Sequence, residues 1–334
     1  MEHLHSGIIG LGVGEQHIIG YELHPSSIIE NLCDFSESKR REIKKKFPQY
    51  KITENENDVL ENPDIDIVSI ASYDNYHYSQ IMKALKNGKH VFVEKPLCLF
   101  ENEAKIIRKY LKNHPNQKIS SNLIMRKYPR FQKLKNIIKK GELGDIYYME
   151  GDYNYGRVHK IIDGWRGKLD FYSVIYGGAV HIVDLLMWIT EKKITEVFTY
   201  GNKFITANTK FKFNDLTVSL LKFEDNSIAK ISSNFGCVFP HFHAISLYGS
   251  KATFINDFEF GKIFKSRDPK DSFKKIDVRY KSINKGELVY DFVDSIVNNS
   301  TPLVSTDDVF KTMSVCFAME KSMNTNKPEK VNYI

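Results

Sequence analysis

Between residues 65 and 97 the chain reads DIDIVSIASYDNYHYSQIMKALKNGKHVFVEKPL, and few arrangements can bury that pattern. Ile65, Ile67, Val68 and Ile70 make a short apolar run, a polar turn follows, His77 to Lys86 carries apolar residues at helical spacing, and Val91 to Val93 is a second apolar run. Two such strands joined by a helix pair in parallel, with the helix crossing one face of the sheet. The second strand ends on Glu94-Lys95-Pro96. A lysine therefore lies at the carboxyl edge of a parallel sheet, the edge where open α/β sheets take their ligands.

The same alternation extends to both sides. Gly7 to Gly10, Ser27 to Cys33, Tyr50 to Thr53 and Lys118 to Ile124 read as further strands, with helical stretches between them such as Ser36 to Lys46. This predicts a doubly wound parallel sheet over residues 1–124. From residue 125 the pattern changes. Tyr128 to Lys140 reads as an amphipathic helix, Asp145 to Tyr153 as a strand, 154 to 176 as a loop rich in Gly, Tyr and Arg, and Gly178 to Thr190 as a helix. Strand-like runs from Ile194 to Phe258, broken by Gly, Asn and Asp, predict an open, mostly antiparallel sheet, and two helical patterns, Gly286 to Asn299 and Thr306 to Asn324, close the chain. The expectation is an α/β fold with a second, α+β domain over 125–334.

Gly10-Leu11-Gly12-Val13-Gly14 joins the first strand to the first helix, where backbone amides and a helix N-terminus receive a pyrophosphate. The usual pattern is GxGxxG or GxGxxA. Here that last position is Glu15, so the third glycine comes one place early. Asp34, 20 residues beyond Gly14, ends the second strand; a carboxylate there accepts from both ribose hydroxyls and repels a 2′-phosphate, favouring NAD over NADP. Ser36, Lys39 and Arg40 follow closely and soften that preference toward NADP.

Ile67 to Ala71, Asn75 and His77, Gly88-Lys89-His90-Val91 and Glu94-Lys95-Pro96-Leu97 together resemble the hallmark of the Gfo/Idh/MocA oxidoreductases, and the resemblance covers most of the chain. It implies a Rossmann domain for NAD(P) followed by a substrate and oligomerisation domain. It implies that Ser72, Asn75 and His77 lie along the cofactor, that Glu94 and Lys95 approach the nicotinamide ribose, and that Pro96 carries a cis peptide turning Lys95 toward substrate. In YGGAVHIVDLLMWIT, His181 resembles the family histidine that faces the nicotinamide, with Asp184 matching its acidic neighbour. Arg126, Arg130, Trp165 and Arg166 match positions near the cofactor and substrate mouth. One departure stands out: many family dehydrogenases carry an aspartate four residues before the histidine, and this chain has Gly177. Tyr176, Asp163, Asp170 and Asp184 are the alternatives for orienting His181, and either His181 or Lys95 takes the proton of a carbinol.

Tyr153, Tyr155, Arg157, His159 and Lys160 lie in the 154–176 loop or just before it, and tyrosines with cations suit a hydroxylated or phosphorylated ligand. Tyr155 and Tyr176 join Lys95, Arg126, His181 and Asp184 as expected substrate contacts. His241 and His243 share one side of a strand and read as a sheet face, with no metal expected.

At 334 residues, 42% apolar and 27% charged, the composition is that of a soluble two-domain protein. The net charge of +7 and the pI near 8.9 favour anionic partners, but no nucleic-acid motif accompanies the lysines. Cys33, Cys98, Cys237 and Cys316 form no CxxC pair, which fits a reducing cytoplasm. Neither a leader nor a membrane span is expected. The expected function is an NAD(P)-dependent dehydrogenase of a secondary hydroxyl on a sugar, cyclitol or nucleotide sugar, with a nucleotide-sugar 3-dehydrogenase among the candidates. The alternative is a non-catalytic dinucleotide-sensing regulator of the same fold. An open sheet left with an apolar face predicts a homodimer or homotetramer.

Overall fold

The structure, a computed structural model, describes residues 3–334. The chain forms two compact units, the first comprising 1–124, 283–311 and 334, the second 125–282 and 312–333.

In the first unit six strands, β1 (Leu4–Ile9), β2 (Ser27–Cys33), β3 (Lys51–Thr53), β4 (Ile67–Ile70), β5 (His90–Val93) and β6 (Ile119–Ser121), make one sheet in the order β3-β2-β1-β4-β5-β6. Every neighbouring pair is parallel. Strand order reverses between β1 and β4, the switch point where doubly wound sheets open a crevice. Ile8, Leu32, Ile67, Val68, Ile70, Val91, Phe92 and Val93 are buried, as near-continuous apolar strands of a sheet covered on both faces must be.

Residues 283–311 correct the sequence reading, which assigned all of 125–334 to the second domain. Helix Glu287–Val297 lies against helix Glu15–Glu22 so closely that a Cβ on Gly20 would meet Gly286 O at 2.3 Å. Phe292 packs on Phe92, and Lys118 Nζ donates to Ser295 O and Ser300 O, each at 2.8 Å. Nothing in the local periodicity of 283–311 marks this return, because the complementary glycine lies in the first helix of the chain.

The second unit holds nine strands: β7 (Ile146–Asn154), β8 (Ile194–Asn202), β9 (Leu216–Phe223), β10 (Ile228–Asn234), β11 (Phe242–Gly249), β12 (Thr253–Asn256), β13 (Gly261–Phe264), β14 (Lys274–Ile276) and β15 (Glu329–Lys330). Their order is β14-β13-β12-β11-β7-β10-β9-β8-β15, antiparallel except between β7 and β10. Burial alternates along the strands: in β9 Thr217, Ser219, Leu221 and Phe223 point inward, while Val218 and Leu220 point out. Helix Val180–Thr190 covers the inner face, approaching so closely that a Cβ on Gly151 would meet Ile182 Cγ2 at 2.3 Å. No helix among the described residues is long and apolar enough to cross a membrane.

Candidate active site

Gly10 follows β1 with a φ of +86°, and a Cβ there would lie 2.4 Å from Ala71 O. A Cβ on Gly14 would lie 2.3 Å from Gly10 O. Both glycines are therefore required by the loop's own packing. Gly12 is different: a Cβ there meets nothing within 4 Å, and its φ lies outside the left-handed region. The protein leaves space in front of Gly12 and, with Val13 and Gly14, leads into the N-terminus of helix Glu15–Glu22. Glu15, in the place of the usual third glycine, turns to Lys39 and Lys46, both at 2.9 Å, so close packing passes to Gly14 on one side and Gly20 on the other.

Asp34 follows β2 and is 7% exposed. One carboxylate oxygen accepts from Leu11 N and the other from Ser36 N, each at 2.8 Å. A carboxylate has roughly four acceptor sites, so the pair of amides orients the group and leaves capacity for two ribose hydroxyls. The cations behind it are engaged elsewhere. Lys39 Nζ reaches Glu15 and Glu42, while Arg40 donates to Asp34 O, Phe35 O and Glu54. The donors that sequence offered to a 2′-phosphate are neutralised by acids or held by backbone. The loop and this carboxylate fit NAD: Gly12 and Val13 would receive the pyrophosphate and Asp34 the adenosine ribose. Replacing Asp34 by alanine is expected to weaken NAD binding by roughly tenfold, the worth of a charge-assisted hydrogen bond. Fluorescence titration with NADH and NADPH checks this, and equal affinity for both in the native chain would refute the NAD assignment.

Beyond β4, Ser72 donates to Gln80 Oε1 at 2.6 Å, and Asn75 lies in the 3₁₀ turn Asp74–Tyr76. His77 is fully buried. Its Nδ1 faces Pro96 O at 2.7 Å and its Nε2 faces Ser72 O at 3.3 Å. His77 thus ties the turn after β4 to the turn after β5, and its imidazole acts on the loops that border the crevice. The Lys95–Pro96 peptide is cis. Lys95 is half-buried at the carboxyl end of β5.

Glu94, next to it, is 7% exposed. It accepts from Asn122 Nδ2 at 2.8 Å and lies 3.3 Å from His17 Nε2. Burial alone would raise its carboxyl, but Lys285, His17 and Lys95 outweigh burial and hold it well below the usual carboxylate range. Glu94 is an anion at neutral pH, facing cations. Sequence reasoning missed His17, Asn122 and Lys285, because they are 77, 28 and 191 residues from Glu94 and no local spacing signals such a network.

In the second unit His181 sits on the buried helix Val180–Thr190 and is 7% exposed. Its ring stacks on Tyr153 (5.9 Å between centroids, 16° between planes). Tyr153 also contacts Tyr155, Phe235, His241 and His243. His243 Nδ1 is 2.6 Å from Tyr280 Oη; burial, followed by His241, His181 and Lys281, pushes this imidazole well below its ordinary value. It is neutral.

Two expected substrate contacts bind each other. Arg126 Nε donates to both Asp184 oxygens at 3.1 and 3.0 Å, and Nη2 to Oδ1 at 2.6 Å; both side chains are buried, and Thr312 adds a bond to Asp184. The pair clamps the 3₁₀ turn Ile124–Lys127 to the helix that carries His181. Replacing Asp184 by alanine leaves the Arg126 guanidinium buried without its acid, so a loss of roughly 3–5 kcal/mol in unfolding free energy is expected. Urea denaturation checks this; a change under 1 kcal/mol would show the pair to be energetically idle.

Tyr176, 3% exposed, lies in the π-helical turn Ile175–Ala179 against Phe171 and Phe317. Gly177 gives room to Tyr172: a Cβ there would come 2.2 Å from Tyr172 Oη. The position where many family members carry a carboxylate is thus crowded here by a phenol. Tyr155 is buried, and Arg166 stacks over Trp165 at 4.5 Å and Tyr172 at 5.9 Å.

Comparison with known proteins places these features in a family. A family model described as "Oxidoreductase family, NAD-binding Rossmann fold" matches residues 4–122, and the corresponding C-terminal domain model matches 131–255. Among curated proteins, the myo-inositol 2-dehydrogenase of Thermotoga maritima is 24% identical, with 98% of each chain covered. The scyllo-inositol 2-dehydrogenase (NAD(+)) of Bacillus subtilis is 24% identical over 99% of this chain and 98% of its own. Among solved structures, the scyllo-inositol dehydrogenase of Lactobacillus casei with NAD(H) and scyllo-inositol superposes with a TM-score of 0.81 at 20% identity, covering 99% of both chains.

Proposed function

The chain belongs to the Gfo/Idh/MocA oxidoreductase family, and on that premise we propose that it moves a hydride between NAD and a secondary hydroxyl or ketone of a sugar or cyclitol. The observation that carries this reading is the carboxyl edge of the first sheet. Gly12 leaves a cradle open after β1, Asp34 presents an oriented carboxylate after β2, and Lys95 follows β5 at the same edge. The relatives named as inositol dehydrogenases support the substrate class.

When bound, NAD supplies the hydride acceptor. The hydroxyl proton then needs a base, and a positioned lysine or histidine is the usual one. Lys95 fills that role in our reading: its neutral amine takes the hydroxyl proton as the hydride leaves for NAD, and the ionised Glu94 beside it stabilises the ammonium so formed. His181, held by Tyr153 and the buried helix, is the second catalytic group. By the family resemblance, Trp165 and Arg166 are assigned to the cofactor and Tyr155 to the substrate. A nucleotide-linked sugar is the finer reading, supported by the cations of the 154–176 loop. Initial rates of NADH formation with myo-inositol, scyllo-inositol, hexoses and nucleotide sugars test the class. No turnover with any of them, by protein that binds NAD, would refute it.

The outer face of the nine-stranded sheet carries Tyr147, Tyr200, Val218, Leu220 and Ile228, all exposed, with Tyr200 opposite Val218 and Phe198 opposite Leu220. Exposed apolar residues grouped on a sheet face, as Tyr200, Val218 and Leu220 are, are ordinarily covered by another subunit. We expect a homodimer or homotetramer by light scattering; a monomer at micromolar concentration would contradict that.

A further inference from the structure

Two cations border the ring cluster around His181, each presented from an anchored backbone. Gly156 has a φ of +60° and packs against Phe239, where a Cβ would lie 1.8 Å from the carbonyl oxygen. Only glycine fits there, and the contact fastens the segment from which Arg157 extends. The Arg157 guanidinium lies over the Tyr155 ring at 5.4 Å, and Tyr155 is 5.2 Å from His241. On the other side, Tyr280 is held by His243, by Tyr128 and Phe131, and by Arg130 stacked over it at 5.3 Å. Lys281 follows it in the chain, its ammonium 5.7 Å from the Tyr280 ring. His241 and His243, 5.1 Å apart, join the two sides, and Tyr153 connects both to His181.

Arg157 and Lys281 thus flank one surface whose floor is made of phenol and imidazole rings. Burial lowers the Lys281 ammonium, and Arg157 lowers it further, so the two cations are near enough to repel. Neither forms a salt bridge with an acid among the described residues. Two like charges presented together over a floor of rings are a common way to hold an oxyanion. A neutral polyol would gain only ordinary hydrogen bonds from them, without the opposite charge.

Resting on the dehydrogenase reading above, we propose that Arg157 and Lys281 bind an anionic substituent of the substrate, so that the preferred polyol carries a phosphate or a carboxylate. The phosphate arises from a sugar phosphate or a nucleotide sugar, the carboxylate from a uronic acid. The test compares NAD-loaded full-length protein on matched ligands: glucose, glucose 6-phosphate, glucuronate and UDP-glucose, and inositol with its monophosphate. Turnover and calorimetric binding are both measured. At least one anionic ligand is expected to exceed its neutral counterpart by roughly tenfold or more in kcat/KM or affinity. The double variant R157Q/K281Q is expected to lose most of that preference, and the identity of the favoured ligand separates phosphate from carboxylate. Neutral polyols equal to or better than their anionic counterparts would overturn the proposal and leave the dehydrogenase reading standing. So would a preference that survives in the folded double variant. Charge-selective binding without NADH formation from any ligand would support the anion site and refute the dehydrogenase.

Discussion

Replacing Lys95 by alanine is expected to lower kcat by roughly 10²–10⁴-fold, the range for loss of a positioned proton-transfer group, while NAD affinity changes little. Lys95 follows β5 and the cis peptide to Pro96, at the edge where doubly wound sheets meet their ligands. Its neighbour Glu94 is tied to Asn122 and His17 and remains ionised. Lys95→Arg separates the two roles: it preserves the charge but cannot take a proton at neutral pH, so recovery of rate in Lys95→Arg would assign the residue to electrostatics and continued loss would assign it to proton transfer. If Lys95→Ala turns over near the native rate, the catalytic assignment is wrong.

A second large effect is expected at Gly12. Gly12→Val should fold as the native chain does, because a Cβ there meets nothing within 4 Å and the backbone is not in the left-handed region. NAD affinity should nonetheless fall by roughly a hundredfold, about 2.7 kcal/mol, since the side chain occupies the space in front of the loop amides. Gly10→Ala makes the contrast. It forces a Cβ to 2.4 Å from Ala71 O at a φ of +86°, and its damage should appear in thermal unfolding before any ligand is added. NADH titration beside melting curves distinguishes the two outcomes, and undiminished binding by Gly12→Val would place the pyrophosphate elsewhere.

Much of this was legible in the chain. The 65–97 segment carries its own topology, since alternating apolar runs and a helix of crossover length leave only a parallel pairing. The glycine loop and Asp34 could be read because their spacing follows from a strand, a turn and a helix in succession. Less legible were features that depend on distant partners. Arg126 and Asp184, both expected at the substrate, lie 58 residues apart, and no local spacing signals that they close on each other. The bridge that His77, expected along the cofactor, makes between two turns through backbone carbonyls has no local signal either. Residues 283–311 read as part of the second domain, because a helix's amphipathic period shows that it has a buried face without showing which surface buries it. The departures at Glu15 and Gly177 were visible as departures. What surrounds them, Gly14 and Gly20 near Glu15 and the phenol of Tyr172 against Gly177, required coordinates.

The measurement that bears most directly on hydride transfer uses the fastest-reacting polyol, deuterated at the carbon that bears the oxidised hydroxyl, with NAD and the full-length protein. Mass spectrometry of the reduced cofactor is expected to show one deuterium carried to the nicotinamide ring, with none lost to water. Reduced cofactor without deuterium, or deuterium released to solvent, would contradict a direct hydride transfer by this chain.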